Sequence, residues 1–439
     1  FVGCNQTDLT DKTPPVSKVE QLEWTKNANI YEVNVRQYSE EGTFEEVRKD
    51  LPRLQEMGVK ILWLMPIHPI GEVNRKGPLG SYYSVQDYKG INPNFGTEAD
   101  FRAFVDEAHE RDMKVIIDWV ANHTAWDNPW TENPDWYELD ENGGFMPPRG
   151  TDWTDVIQLD FENKEMRSAM TDALEYWVRE FNIDGYRCDV AGKVPTDYWV
   201  NAIDSLNEIK PVFMLAEDGE PELLIEAFHM NYAWQYAHTI REIAKGEQIL
   251  EHLTDLMNDT EANYPSSSYR MYFTTNHDEN SWNGTDPDMY GDNFENFAVL
   301  SATIDGMPLI YNGQESGLDK QLEFFEKDEI EWKEYEYQPF YTMLLNLKKE
   351  NEALWNGDFG GELEIYTSPE NTYAYKREKG DDWVFVYLNF GEESVNVPIT
   401  DYALPEDASG YEIFSDQLPP TENNYFEVAP NSWLLIANE

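Results

Sequence analysis

Cysteine is nearly absent from this 439-residue chain. With only Cys4 and Cys188 present, there is no disulfide framework, and stability has to come from a packed apolar core. Basic residues are scarce too, since 32 Lys and Arg face 85 Asp and Glu for a formal net charge of −53. A field of that sign repels phosphate backbones and anionic bilayers, which argues against nucleic acid as a partner but leaves a neutral polymer unopposed. The same surplus suits a solvated surface in salty surroundings. No apolar run approaches the ~18 residues needed for a membrane-spanning helix. There is also no low-complexity tract, no repeat beyond a strand-helix unit, no phosphate-cradling glycine loop and no transition-metal ligand spacing. Whatever chemistry the chain performs should need no cofactor.

The two cysteines sit in different contexts. Cys188 lies in a strand-like apolar run and reads as a small buried hydrophobe. Cys4 follows Phe1-Val2-Gly3, which resembles the end of a bacterial lipoprotein signal, and residues 5–20 have no periodicity. That resemblance implies an exported protein held at the cell surface or in the periplasm by a lipid on Cys4, with residues 1–20 as a tether.

Apolar residues make up 41% of the chain, including 15 Trp and 26 Tyr. This is enough for one large core of about 250 residues with satellites, and for flat rings to spare. Eight short apolar runs stand out: 30–37, 61–67, 114–120, 185–190, 212–218, a weak one at 228–234, 270–278 and 307–315. Helical periodicity separates them. Thr43-Phe44-Glu45-Glu46 resembles a capping box followed by Val47, Leu51 and Leu54, and Thr97 to Asp100 opens a similar segment; Met166, Met170, Leu174 and Phe181 mark a third. The alternation predicts a (β/α)8 barrel over residues 21–359. Residues 124–157, rich in Trp and Pro, form a loop insertion after the third strand, and short alternating runs from 360 to 439 predict a C-terminal antiparallel β-sandwich.

Acidic and imidazole side chains cluster where these strands end. The third closes in Asp118-Trp119-Val120-Ala121-Asn122-His123, the fourth in Arg187-Cys188-Asp189, the fifth in Glu217-Asp218 and the seventh in Asn276-His277-Asp278. A parallel barrel builds its active site at that end. Because side chains alternate along a strand, Arg187 and Asp189 share a face and Cys188 points the other way.

These segments resemble the signature regions of glycoside hydrolase family 13, the α-amylase family, and with the tether they are most similar to its bacterial lipoprotein members. Gly80 to Asp87, with Tyr83, resembles the family stretch after the second strand. The resemblance implies a retaining mechanism in which Asp189 attacks the anomeric carbon, Glu217 serves as acid and base, and Asp278 grips sugar hydroxyls. It also implies that His123, His277, Arg187 and Tyr83 surround one glucose ring, with Glu217 raised in pKa by ionised Asp189 and Asp278. Asp118 reads as a support for Arg187, and Trp126 and Trp130 as candidate sugar platforms. The implied substrates are starch and maltooligosaccharides, cut internally. Within the same chemistry the alternative is a neopullulanase-, cyclomaltodextrinase- or α-glucosidase-like preference for oligosaccharides. A non-catalytic glucan-binding protein is the reading from another class.

Two departures bear on metal binding. Gly192 and Lys193 stand where family members often carry Lys-His, and Gln158 stands at a frequent Asp ligand position. Asn122 matches a calcium ligand and Asp160 is its candidate neighbour, yet calcium wants six to eight oxygens. A structural calcium ion at this pair is therefore an expectation to test on the geometry.

Overall fold

The computed structural model describes residues 13–398, 402, 411–415, 421–422 and 425–438. Cys4 and residues 1–12 of the expected tether lie outside these. From Ser17 the chain already rests on the protein, where the backbone N–H of Lys18 donates to Ile225 and the Ser17 hydroxyl to Leu224.

Eight parallel strands close into a barrel. They are β1 (Ile30–Val33), β2 (Ile61–Leu64), β3 (Lys114–Trp119), β4 (Gly185–Cys188), β5 (Phe213–Ala216), β6 (Met230–Tyr232), β7 (Tyr269–Tyr272) and β8 (Met307–Tyr311). Ile30 of β1 pairs with Ile61 on one side and Leu309 on the other, which closes the ring. Seven of the strands fall inside one of the eight apolar runs and are shorter than it, and β7 begins one residue ahead of its run, at Tyr269. The first run stops early because Asn34 leaves the ladder and caps the helical turn Val35–Tyr38, its side chain accepting the N–H of Gln37.

Alternation sorts the side chains into two layers. Ile30, Ile61, Trp63, Ile116, Phe213, Leu215, Met230, Tyr232, Met271 and Leu309 fill the interior. Tyr31, Leu62, Leu64, Val115, Ile117, Tyr186, Cys188 and Met214 face the surrounding helices. Gly185 sits where β4 touches β5, and a Cβ there would lie 1.9 Å from the Phe213 carbonyl oxygen.

The helices begin and end on local signals. Thr43 caps α1 (Phe44–Met57) by accepting the Glu46 N–H, and Gly58, at φ 96°, closes it in a left-handed turn. A full capping box joins Thr97 and Asp100 ahead of α2 (Glu98–Glu110). Asn163 caps α3 (Lys164–Phe181), whose Met166, Met170, Leu174, Trp177 and Phe181 are buried. Among the described residues no helix is long and apolar enough to cross a membrane.

After β3 the chain forms a short hairpin, His123–Ala125 against Val156–Gln158, which anchors both ends of the loop insertion. The C-terminal region is antiparallel. A five-stranded sheet packs against a three-stranded one, with Phe385, Tyr387, Leu434 and Ile436 facing Val397, Phe426 and Val428. Buried Arg377 stitches this region to the barrel by donating to the carbonyls of Ile304, Gly361 and Trp355.

Candidate active site

The inward parity of each strand changes chemistry at its C-terminal end. Two residues beyond Ile30 and Ile116 stand Glu32 on β1 and Asp118 on β3, and Arg187 on β4 pairs with Asp118, all three fully buried. Asp189 follows two residues after Arg187, and Glu217 two residues after Leu215 on β5. Arg187 organises them. Its Nη1 donates to Asp118 Oδ1 at 2.9 Å and to Asp189 Oδ1 at 3.1 Å, while Nε donates to the Tyr232 hydroxyl at 3.0 Å. Its Nη2 lies 3.1 Å from Glu217 Oε1, an ion pair without hydrogen-bond alignment. The guanidinium is walled in by the rings of Trp63, Tyr83 and Tyr232, so its charge has little escape into solvent.

A single cation shared among three carboxylates cannot fully offset their loss of water. Burial is the largest influence on Glu217 and pushes it up to about 7, Arg187 pulls it down, and Asp189 and Asp278 push it up further. The expected cause was the two neighbouring charges; desolvation exceeds them. Burial likewise raises Asp189 to about 6 against the pull of Arg187. Both carboxyls are raised, and Glu217 is held the higher of the two, a division suited to a nucleophile and an acid.

Backbone geometry adds a third restraint. Val190 sits in the left-handed region at φ 39° and ψ 46°, costly for a β-branched residue. Its N–H donates to Glu217 Oε2 at 2.7 Å.

Asp189, Glu217 and Asp278 line one cleft of about 440 Å³, together with Tyr83 and His123. His277 sits beneath it. Its Nε2 is 2.7 Å from the Tyr83 hydroxyl, which donates to Asp118 Oδ2 at 3.1 Å, and its Nδ1 is 2.5 Å from Glu32 Oε1. The two histidines differ in charge. Burial, helped by Lys193, drives His123 down to about 3, and its Nδ1 faces the Asn122 amide at 3.1 Å, so it is a neutral ring. Burial also opposes charge on His277, but Asp278 and Glu32 outweigh it and hold that ring up at about 9.

Comparison with known proteins bears on this arrangement. A family model described as the α-amylase catalytic domain matches residues 20–143. The crystal structure of an α-amylase from Lactobacillus plantarum superposes with a TM-score of 0.84 at 30% identity, covering 95% of this chain and 100% of that one. The chain belongs to the α-amylase family, glycoside hydrolase family 13. The noncanonic maltogenic α-amylase AmyB of Thermotoga neapolitana is also similar, with a TM-score of 0.79, 30% identity and coverage of 94% and 97%. The α-amylase MalA of Haloarcula japonica is 27% identical over 90% of this chain, which spans 59% of that protein's length.

Against the family pattern, several side chains stand elsewhere than anticipated. Trp126 lies outside the cleft lining and donates its indole N–H to the Thr154 carbonyl. Trp130 packs on Tyr88 and Trp136 in a separate recess. The rings that do line the cleft are Trp153, Trp282, Phe324 and Phe325. They come from aperiodic loops, where no sequence pattern separates a cleft ring from a packed one. Gly192 stands where family members often carry lysine, and a Cβ there would lie 2.1 Å from Asp218 Oδ2, so a side chain at this position would have to displace that carboxylate. Lys193 lies over the Trp153 ring at 4.4 Å, on the same wall as His123.

The α-amylase calcium position does not fit a cation in this chain. The Nε2 of Gln158 donates to Asn122 O at 3.0 Å, Asn122 Oδ1 at 3.0 Å and Leu159 O at 3.1 Å, so an amide takes up the oxygens a metal would gather. Asp160 points elsewhere, with Oδ1 accepting the Glu162 N–H in the turn before α3. No cluster of three or more His, Cys, Asp or Glu side chains suited to a metal occurs among the described residues.

Proposed function

We propose that the chain is a retaining α-glucan hydrolase that cuts α-1,4-glucosidic bonds within starch and maltooligosaccharides. The observation that carries this reading is the single buried Arg187, 3.1 Å from Asp189 and 3.1 Å from Glu217 in a cleft that Asp278 also lines. In the proposed reaction Asp189 attacks the anomeric carbon while Glu217 protonates the departing glycosidic oxygen, leaving a glycosyl ester on Asp189. Glu217, now a carboxylate, takes a proton from water as that water attacks the same carbon and frees Asp189. Asp278 and neutral His123, which both line the cleft, bind sugar hydroxyls, and the Tyr83 ring, parallel within 10° to Phe324, offers a stacking face.

Aromatic rings extend the cleft beyond these residues on both walls, Trp153 on one and Phe324 with Trp282 on the other. Such rings suit the apolar faces of further glucose units and support internal cleavage of a chain. The second reading, an oligosaccharide-preferring enzyme, is favoured by the likeness to the maltogenic relative at 30% identity. Time courses on soluble starch, pullulan and cyclodextrin decide between them. Early mixtures of long products from starch support internal cleavage; preferential attack on cyclodextrin or pullulan supports the alternative; no reducing-end release from any of them would leave a glucan-binding protein. Export and a lipid on Cys4 belong to the same proposal and are tested by mass spectrometry of the native protein.

A further inference from the structure

Glu32 has no part in the chemistry described so far, yet it is the one acidic residue within the apolar strand β1 and is 0% exposed. A carboxylate stripped of water needs a cation or several donors to persist. Both hydrogen bonds recorded for its carboxylate among the described residues go to a single residue: Oε1 lies 2.5 Å from His277 Nδ1, and Oε2 accepts the His277 backbone N–H at 3.3 Å. The ring is thereby fixed in tilt and in height above the barrel, its face set edge-on to Trp63 at 5.9 Å.

We propose that Glu32 is a positioning residue for glucan hydrolysis, holding the His277 ring protonated on both nitrogens so that the Tyr83 hydroxyl is forced to donate towards Asp118. The proposal rests on the reading of the cleft as a hydrolytic site.

Hydrogen-bond direction links Glu32 to the nucleophile. With Nδ1–H committed to Glu32, a doubly protonated ring has a second proton on Nε2, which donates to the Tyr83 oxygen at 2.7 Å. Tyr83 then has only its own proton to give, and Asp118 Oδ2 receives it at 3.1 Å. Asp118 in turn holds Arg187, which holds Asp189. If the ring were neutral, Nε2 would carry a lone pair, Tyr83 would donate to it, and Asp118 Oδ2 would keep only the Trp63 indole N–H at 3.3 Å. Charged and titratable groups face His277 from every side: Glu32 on β1, Tyr83 after β2, Asp118 on β3, Arg187 on β4 and Asp278 beside it, whose Oδ2 is 3.4 Å from Nε2. Tyr232 and Tyr311 lie near Glu32 itself. Burial and Arg187 oppose the ring's charge and the carboxylates sustain it, so removing the Glu32 charge alone moves the balance towards a neutral ring.

The test uses the full chain as wild type, E32Q and E32D. Heteronuclear NMR of the His277 ring, assigned with H277N, should give a titration near pH 9 in wild type, at least ~1 unit lower in E32Q and partly restored in E32D. The kinetic signature is the alkaline limb of kcat/KM on maltoheptaose. Wild type should fall about tenfold per pH unit from the Glu217 value up to about pH 9, where His277 also titrates, and folded E32Q should steepen to about a hundredfold per unit at least ~1 unit earlier. A His277 titration below pH 7 in wild type overturns the proposal, and this measurement needs no variant that could misfold. So does a folded E32Q whose His277 titration and limb match wild type. Wild-type protein inert on every glucan would instead refute the hydrolase reading, while the NMR titration still reports on Glu32.

Discussion

Replacing Arg187 by lysine keeps the charge and removes the fork, which makes it a sharp test of whether geometry or charge organises the cleft. The guanidinium reaches Asp118, Asp189, Glu217 and the Tyr232 hydroxyl at 2.9 to 3.1 Å from three different nitrogens. A lysine ammonium is one point. Placed where Nη1 now sits, it would retain Asp118 and Asp189 and abandon Glu217 and Tyr232. Each charge-assisted contact is worth about 1.5–3 kcal/mol, so the loss is about 3–6 kcal/mol, shared between folding and the transition state. At about 1.36 kcal/mol per decade, an even division lowers kcat/KM by ~10–10². The pH profile carries the sign. Arg187 now lowers the pKa of Glu217, so its withdrawal raises that value above about 7 and moves the alkaline limb of R187K upward. Reducing-end assays on soluble starch between pH 4 and 9, with thermal melts to confirm folding, measure both effects. Activity within ~5-fold of wild type and an unmoved limb would refute the reasoning.

Asp189→Asn should abolish turnover, by ~10⁴ or more, with the fold intact, because an amide cannot form the glycosyl ester; a folded, undeamidated variant with appreciable kcat would remove Asp189 from its role. Trp282 is 58% exposed at the outer end of the Tyr83, Phe324 and Trp282 series, and Trp282→Ala should cost about 5-fold in kcat/KM on maltoheptaose and almost nothing on maltotriose. Equal losses on the two substrates would rule out a distal sugar platform. Because Gln158 occupies the calcium position, a chelator should leave the melting temperature unchanged, and a drop of several degrees would point to a cation held elsewhere.

Much of the barrel was legible because its two periods differ. Runs such as Ile61–Leu64 are apolar on both faces and short, while the segments between them repeat at helical spacing behind Thr43 and Thr97. The barrel then concentrates polar groups at strand ends, so Asp118, Asp189 and Glu217 could be located by position, parity put Arg187 on the face of Asp189, and the family resemblance supplied their roles. Glu32 shares that parity with Ile30, and an acid inside an otherwise apolar run was the signal for it; what it contacts depends on β7, more than two hundred residues away. The loop rings were not legible. Trp126 and Trp153 come from the same aperiodic stretch, and only the packing of the His123–Ala125 hairpin decides which of them faces the cleft. The role of Gln158 was hidden for a similar reason, since its three acceptors are backbone and amide oxygens without a sequence mark.

The contorted turn at Val190 has an evolutionary consequence. A left-handed β-branched residue costs on the order of 1–3 kcal/mol, so this turn is a reservoir of stability that selection has left untapped. Glycine there would relieve that cost and keep the backbone N–H that grips Glu217 Oε2, but it would also widen the conformations open to the turn that holds this carboxyl. Efforts to harden the protein against heat should therefore meet their sharpest conflict with catalysis at this one position, and find freer gains in the outer helices.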